Sequence, residues 1–268
     1  MSAPSFSRGE YWFSLLTAGA DQRQGQCASI LVADGELEGQ PTRFIAVVPD
    51  VENHYPRAAH GEVGLLEGWT LAQVVSEAVA ADADKAQKCA IVAVIDVPSQ
   101  AYGRREEAFG IHQALAGAAG AYAKARLAGH PVIGLIVGKA MSGAFLAHGY
   151  QANRLIAFND ADVMIHAMGK ESAARITLRS LESLEKLAAS IPPMAYDIGH
   201  YASLGLLEQL LDIRDPLKAS EQELELVRQT LVAAIAKTRR EGPGLTNRLG
   251  ASNRSSTSLV RERMRAEW

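Results

Sequence analysis

Apolar residues in the middle of the chain follow two patterns that together predict a βαβ unit. The runs Ala90–Val97 and Val132–Val137 are continuously apolar, as in parallel strands that are buried on both faces. Between them, Arg104–Ala128 carries apolar residues at helical spacing and predicts one long helix. Because parallel strands end at the same edge of a sheet, we expect loop 98–103 and turn 138–143 to meet at the edge where α/β proteins bind ligands.

Further elements on both sides extend this unit. Apolar runs predict four more strands, at Cys27–Ala33, Arg43–Pro49, Arg154–Phe158 and Val163–His166. Helical spacing predicts helices at Glu10–Ala18, Thr70–Ala83, Ser172–Leu187 and Pro216–Lys237, and Met194–Leu211 is expected to be a compact helical region. Two short strands per helix is unlike a doubly wound sheet, so the sequence predicts an α/β fold built as a spiral of ββα turns.

The last 30 residues differ from the rest of the chain in composition. Residues 1–238 are predicted to form a single domain. Residues 239–268 contain seven Arg and three Glu, with Gly, Ser and Asn between them. Such a polar, basic segment buries little apolar surface, so we expect a tail that is disordered or becomes ordered on a partner.

Composition excludes several classes of function. The chain has 268 residues, 48% of them hydrophobic, and a net charge of −3, which argues against nucleic acid or anionic lipid as the main partner. Its two cysteines, Cys27 and Cys89, fit no metal or redox spacing and predict buried thiols in a reducing compartment. No signal-like segment and no apolar run long enough to cross a bilayer is recognisable, so the sequence predicts a cytoplasmic protein without a membrane partner.

The stretch Pro131–Gly149 is the strongest candidate for a functional turn. Its strand passes through small residues at Gly138–Ser142 into a helix that begins near Gly143. A strand, a tight turn and a helix start leave several N–H groups without backbone partners, and such fixed donors suit a developing negative charge. The alternative is a turn whose small residues serve packing only.

Other kinds of chemistry find little or only partial support in the sequence. The seven histidines show no metal-ligand spacing, so no metal site is expected, and neither a Walker loop nor a GxGxxG motif occurs. A serine triad stays open, because Ser142 lies on the turn and His166 ends a strand, with Asp212 or Asp215 as a third member. The residues around Ser142 do not form the GxSxG elbow, however.

The segment Ile95–Phe145 resembles the C-terminal half of the carboxyltransferase subunits of biotin-dependent acyl-CoA carboxylases. The shared features are a strand that ends at Asp96, the Pro/Gly loop Pro98–Gly103, the pair Glu106-Glu107 and the turn Lys139–Ala144. This resemblance implies the crotonase-type ββα spiral, also found in Clp peptidases, which agrees with the predicted strand order.

The whole chain, including GEVGLLEGW at 61–69, most resembles the gamma subunit of biotin-independent malonate decarboxylases. The resemblance implies that the chain pairs with a paralogous beta subunit and decarboxylates a malonyl thioester to an acetyl thioester and CO2. It further implies an acyl carrier protein, whose prosthetic group carries the substrate, and an acyl-carrier transferase subunit. No cofactor is expected to be bound by this chain itself.

The resemblance also suggests roles for individual residues. The N–H groups of Gly143 and Ala144 are expected to form the catalytic oxyanion hole. Substrate binding is expected from the loop and turn residues Gln100, Ala101, Tyr102, Gly103 and Ser142. His148 and His166 are either proton donors or structural residues. Two alternatives remain: a Clp-type serine peptidase with Ser142 and His166, and a non-catalytic paralogue that only scaffolds its partner.

Overall fold

A central sheet with helices on both faces forms the framework of the chain. The computed structural model describes residues 7–24 and 26–268. The strands are β1 (Asp21–Gln22), β2 (Ile30–Leu37), β3 (Gln40–Val47), β4 (Ala90–Val97), β5 (Val132–Met141), β6 (Arg154–Phe158), β7 (Ile165–His166) and β8 (Gln209–Leu211). The helices are α1 (Arg8–Leu16), α2 (Leu65–Ala81), α3 (Arg104–Ala108), α4 (Ile111–Leu127), α5 (Ser142–Ala147), α6 (Lys170–Ile176), α7 (Leu181–Ala188), α8 (Ile198–Ser203), α9 (Glu221–Glu241) and α10 (Ser255–Glu267).

The strands of the described residues form one sheet of eight strands, with seven of them in the order β1-β2-β3-β4-β5-β6-β8. Strands β1 to β3 pair antiparallel, and the pairs from β3 onwards are parallel. Strand β7 lies off this path and pairs with the end of β5, where Ala140 and Met141 face Ile165 and His166. Strand β5 therefore pairs with two strands in succession, with β6 beside its first half and β7 beside its last residues. This arrangement agrees with the predicted ββα spiral.

Helices α1 and α9 pack together on the sheet. Trp12 of α1 is fully buried, and its indole N–H donates to the Pro216 carbonyl oxygen at 2.8 Å. The Trp12 ring also meets Phe158 of β6 edge-on, with 4.7 Å between ring centroids. Helix α9 begins after Ser220, later than the predicted start at Pro216, because Ser220 and Glu223 form a capping box.

Helices α2 and α4 pack against each other so closely that α2 requires a glycine. A Cβ atom on Gly68 would lie 2.8 Å from the backbone carbon of Ala114. Helix α2 begins at Leu65, so the predicted start at Thr70 was wrong. The earlier start is stabilised by the buried carboxylate of Glu67, which accepts the Gly64 N–H at 2.9 Å.

Two predicted helices are interrupted where the backbone takes a left-handed conformation. The helix predicted over 104–128 is split into α3 and α4 at Gly110, whose φ is +81°. The helix predicted over 172–187 is split into α6 and α7 near Leu178, whose φ is +54°. The region predicted to be helical over 194–211 forms the short helix α8 and the edge strand β8.

The basic C-terminal segment combines anchored and exposed parts. Helix α9 ends at Gly242, and the guanidinium group of Arg248 then donates to the carbonyl oxygens of Tyr150 and Ala152. Helix α10 has no buried residue. Ordering of residues 239–268 on a partner stays a prediction, as does the single domain over 1–238. Within the described residues, none of the helices combines the length and the apolar character that crossing a bilayer requires.

Asp82, Cys89 and His130 form a hydrogen-bonded cluster at the amino edge of the sheet, just before β4 and β5. The Cys89 N–H donates to the Asp82 carboxylate, and His130 Nδ1 donates to the Cys89 carbonyl oxygen at 2.9 Å. One potential ligand atom from each residue lies within 4.8 Å of the others, a grouping that the sequence spacing did not reveal. Burial lowers the pKa of His130 and raises that of the Cys89 thiol to about 12. These hydrogen bonds give the cluster a structural role.

The Asp82 carboxylate should make the stability of the fold depend on acid pH. Burial alone would raise its pKa, but hydrogen bonds from Lys85 and the Cys89 N–H lower the pKa to about 2. A lowered carboxylate pKa stabilises the fold above about pH 4, and this stabilisation is lost as the pH falls from about 4 towards 2. Asp82→Asn should therefore lower the free energy of unfolding at pH 7 by about 1–2 kcal/mol, allowing for the exposure of Lys85.

Urea unfolding of the wild type and of Asp82→Asn between pH 7 and pH 2.5 measures this effect. The exposed neighbour Asp84 provides the matched control, because Asp84→Asn changes the same charge without removing a buried carboxylate. The unfolding midpoints of the wild type and of Asp82→Asn should converge as the pH falls. A constant difference between wild type and Asp82→Asn over this pH range would contradict the assignment.

Candidate active site

The predicted functional turn is the junction between β5 and α5. Strand β5 continues to Met141, four residues beyond the predicted end at Val137, because its last residues pair with β7. Ser142, the first residue of α5, has a φ of +60°, an uncommon left-handed conformation for a residue with a side chain. The first N–H groups of α5 therefore have no carbonyl partner within the helix. Since α5 has only six residues, these individual donors matter more than any helix dipole.

The N–H group of Gly143 already has an acceptor from another part of the chain. It donates to the side-chain oxygen Oε1 of Gln100 at 3.1 Å. The same oxygen lies 3.4 Å from the hydroxyl of Ser142, which is also 3.1 Å from the hydroxyl of Tyr102. A Cβ atom on residue 143 would lie 2.1 Å from Gln100 Oε1, so only glycine fits there while Gln100 holds this position. Loop and turn thus meet at one point, as the βαβ pattern predicted.

A pocket of about 460 Å³ opens at this point. Its polar end is formed by Gln100, Tyr102, Ser142 and Gly143. Its other walls are largely apolar and include Phe145, Leu146, Ile165, Pro192, Pro193 and Leu204. The geometry is that of a largely apolar slot with hydrogen-bonding groups at one end, which can hold one carbonyl group in a fixed position.

The remaining predicted site residues, Ala101, Gly103 and Ala144, are not among the residues that line the pocket. Ala101 is buried, and its N–H donates to the Val63 carbonyl oxygen at 2.9 Å. Gly103 lies against Glu106, whose carboxylate oxygen would be 1.9 Å from a Cβ atom at that position. Ala144 is fully buried as the third residue of α5. The roles assigned to these residues stay predictions.

The two candidate histidines lie in different surroundings. His148 is buried between the hydroxyl of Tyr122 and the carbonyl oxygen of Val94, each 3.0 Å from a ring nitrogen, and burial lowers its pKa to about 4. His166 lines the pocket, with its ring stacked on Tyr196 at 4.0 Å. Burial also lowers the pKa of His166. His148 therefore has a structural role, and of the two histidines only His166 lines the pocket.

The groups of the alternative serine triad are engaged elsewhere. The Ser142 hydroxyl contacts Gln100 and Tyr102, and Nδ1 of His166 lies 3.0 Å from the Met168 carbonyl oxygen. Asp212 accepts the side-chain N–H of Asn159 at 2.7 Å, and Asp215 accepts the Leu217 N–H at 3.0 Å. Ser142 and His166 share the pocket, but neither carboxylate orients the histidine.

Sequence reasoning missed part of the far wall of the pocket. Tyr150 and Tyr201 both line it, and the Tyr201 hydroxyl is buried without a hydrogen-bond partner among the described residues. Burial raises the pKa of Tyr201, so its hydroxyl stays protonated and can donate to a ligand. No local pattern marks Tyr201, because it lies in a region that the sequence predicts only as compact and helical.

Comparisons with known proteins identify the family of this chain. A sequence model of the malonate decarboxylase gamma subunit matches residues 58–268. The chain is 60% identical to a chain of a Pseudomonas malonate decarboxylase hetero-tetramer solved with coenzyme A. That match covers 98% of this chain and 100% of the other, with a TM-score of 0.94. A Pseudomonas MdcD-MdcE hetero-dimer contains a chain that is 58% identical, with the same coverage and a TM-score of 0.90.

More distant relatives agree on the fold. The chain is 34% identical over 172 residues to a malonyl-S-ACP:biotin-protein carboxyltransferase of Malonomonas rubra. The aligned residues make up 63% of this chain and 59% of that protein's length. The transcarboxylase 12S core, at 19% identity and a TM-score of 0.63, matches 84% of this chain and 41% of its own length and shares the fold alone. These neighbours confirm the crotonase-type α/β spiral. The chain belongs to the malonate decarboxylase gamma subunit family.

Proposed function

We propose that this chain is one subunit of a malonyl-thioester decarboxylase and forms its active site together with a paralogous beta subunit. Membership of the gamma subunit family and the 60% identity to a malonate decarboxylase chain support this proposal. The substrate is a malonyl group held as a thioester on the prosthetic group of an acyl carrier protein. The name of the Malonomonas rubra relative, which includes malonyl-S-ACP, is consistent with such a substrate.

One observation carries the proposal: the Gly143 N–H meets an amide carbonyl oxygen at 3.1 Å in the mouth of the pocket. In decarboxylation the bond between the α-carbon and the carboxylate carbon breaks, and CO2 leaves. The electron pair passes to the α-carbon and the thioester oxygen as an enolate, which a proton then converts to the acetyl thioester. The N–H groups of Gly143 and Ala144 hold that oxygen while it carries the charge. The contact between the Gln100 oxygen and the Gly143 N–H supports an acceptor site at this donor.

The walls of the pocket fit the other needs of this reaction. Apolar side chains such as Phe145 and Ile165 keep water away from the enolate and strengthen the hydrogen bonds to its oxygen. The slot also suits the narrow arm of a carrier-bound thioester, whereas no cofactor of this chain's own is needed for the bond changes described.

The surface around the pocket supports a partner that completes the site. Tyr102 and Leu146 are 50% and 52% exposed although they are large and apolar. Tyr102 and Leu146 also line the pocket. The paralogous beta subunit is the proposed occupant of this surface, and the acyl carrier protein and an acyl-carrier transferase subunit complete the complex, which we expect in the cytoplasm.

The oxyanion role of the turn can be tested with Gly143→Ala. The new methyl group would occupy the position of the bound oxygen and displace it from the Gly143 N–H. Losing one such donor typically lowers kcat about a hundred- to a thousandfold. Gly120→Ala in α4 is the matched control, because a Cβ atom there meets nothing within 4 Å. The measurement is kcat for CO2 release by complexes with wild-type circular dichroism and subunit ratio.

Near-normal kcat in a folded and fully assembled Gly143→Ala complex would contradict the oxyanion role. It would favour the alternative of a gamma subunit that only scaffolds its partner. Ala144→Pro is a weaker probe, because Ala144 is the third residue of α5 and a proline there would also restrain the backbone of Gly143.

Ser142 is expected not to act as a nucleophile, because its hydroxyl is engaged with Tyr102 and no carboxylate orients His166. A fluorophosphonate probe should leave Ser142 unlabelled in the intact protein. Ser142→Ala should retain CO2 release within about tenfold of wild type, since only the neutral contacts of its hydroxyl with Tyr102 and Gln100 are lost. Stoichiometric labelling of Ser142, together with loss of esterase activity in Ser142→Ala, would instead establish the peptidase alternative.

The isolated chain is expected to lack decarboxylase activity, because its pocket is open on the side of the exposed apolar residues. Obligate interfaces of this kind commonly bury about 2,000 Å² or more. Sedimentation and CO2-release assays of the chain alone and of the co-purified complex test this point. A monomer of the isolated chain with the full activity of the complex would refute the need for a partner.

A further inference from the structure

We infer that the side chain of Gln100 is a latch, which occupies the acceptor position at Gly143 until the carbonyl group of a ligand replaces it. The inference rests on the proposed function, because it takes the Gly143 N–H as the group that receives substrate. It adds a role for Gln100: competing with the ligand for this donor rather than binding the ligand.

The contacts of Gln100 place it in direct competition with a ligand. Its Oε1 is an amide carbonyl oxygen, 3.1 Å from the Gly143 nitrogen and 3.4 Å from the Ser142 hydroxyl oxygen. A thioester or carboxyl oxygen bound to Gly143 N–H would require the same space. The two acceptors cannot be present together, so a ligand carbonyl binds only when the Gln100 side chain has turned away.

The backbone around Gln100 is fixed, so the movement falls on the side chain. Gln100 forms a parallel bridge with Val63, and hydrogen bonds join Val63 N–H to the Ser99 carbonyl oxygen and Ala101 N–H to the Val63 carbonyl oxygen. The Gln100 side chain itself borders the open pocket and is only half-buried. Rotation about its side-chain bonds therefore frees the Gly143 donor without unfolding the loop.

The latch has a clear physical benefit in the ligand-free protein. The Gly143 N–H lies at the edge of an apolar pocket, where an unpaired donor is unfavourable. Gln100 satisfies this donor with a neutral hydrogen bond, which a ligand carbonyl can exchange for one of similar strength. When Gln100 leaves, the Ser142 hydroxyl retains its contact with Tyr102 at 3.1 Å. Once a ligand is bound in place of Gln100, the Gly143 N–H and the Ser142 hydroxyl therefore both have a hydrogen-bond partner.

Removing the latch should strengthen the binding of ligands that place a carbonyl at Gly143. Gln100→Ala should lower the Kd of acetyl-CoA about two- to tenfold, the range expected when one competing neutral hydrogen bond is lost. Coenzyme A without an acyl group should bind Gln100→Ala and wild type equally. Gln100→Glu should weaken acetyl-CoA binding, because a carboxylate accepts the Gly143 N–H more strongly than an amide does.

The measurement is calorimetric titration of the purified complex that contains this chain, with coenzyme A, acetyl-CoA and malonate as probes. Gln229→Ala is the matched control, since Gln229 makes a comparable side-chain hydrogen bond to Glu225 on the exposed surface of α9. Circular dichroism and subunit ratio establish that each variant is folded and assembled. If Gln100→Ala does not assemble, the opposite shift expected of Gln100→Glu still decides the question.

The outcomes separate the latch from the proposed function. Tighter acetyl-CoA with unchanged coenzyme A supports the latch and a thioester oxygen at Gly143. Tighter malonate with unchanged acetyl-CoA supports the latch but assigns the donor to a carboxyl oxygen, contrary to the proposed enolate contact. Unchanged or weaker binding of both ligands by Gln100→Ala, or unchanged binding by Gln100→Glu, overturns the latch, whatever the rate of CO2 release.

Discussion

The carboxylate of Asp96 fixes the part of the chain on which the pocket depends. One of its oxygens accepts the Lys139 N–H at 3.0 Å, and the other accepts the Gly9 N–H at 3.2 Å. The end of β4 is thereby tied both to β5 and to the start of α1. The approach is so close that a Cβ atom on Gly138 would lie 2.1 Å from the carboxylate. Ser142 lies only three residues after Lys139, whose N–H is bound by Asp96, so the turn at Ser142 has little freedom to shift.

A second carboxylate fixes the loop that carries Gln100. Glu67 is fully buried and accepts hydrogen bonds from Ser29 Oγ, Asn53 Nδ2 and the Gly64 N–H, at 2.6, 2.8 and 2.9 Å. Gly64 adjoins Val63, which carries the loop of Gln100 through backbone hydrogen bonds. The turn after β5 and the Gln100 loop are thus each held by a backbone N–H bonded to a buried or half-buried carboxylate. Because the backbone is held in this way, the side chains on the pocket surface are the parts that can adapt to a ligand.

The sequence predicted the framework of this site but not its contacts. Strands β4 and β5 could be predicted because burial on both faces leaves continuous apolar runs, and the order of elements then placed loop 98–103 beside the turn. The bond between Gln100 and Gly143 could not be predicted, since it depends on one side-chain rotamer across a separation of 43 residues. Tyr201 was missed because tertiary packing alone brings its short helix to the pocket. The break at Gly110 was missed because one glycine within a helical pattern is compatible with a continuous helix.

Among the described pocket residues, Ser142 and His166 are not oriented as a nucleophile and a base, and decarboxylation does not require such a pair. Hydrolysis of a peptide or ester requires a nucleophile and a base in register, and here Ser142 and His166 are engaged by Tyr102 and Met168. Loss of CO2 requires no proton transfer in the step that breaks the carbon–carbon bond, only a group that accepts the electron pair left behind. In the proposed mechanism, the backbone N–H of Gly143 at the start of α5 meets that need. The position of Gly143 is therefore more informative about the reaction than any titratable residue in the pocket.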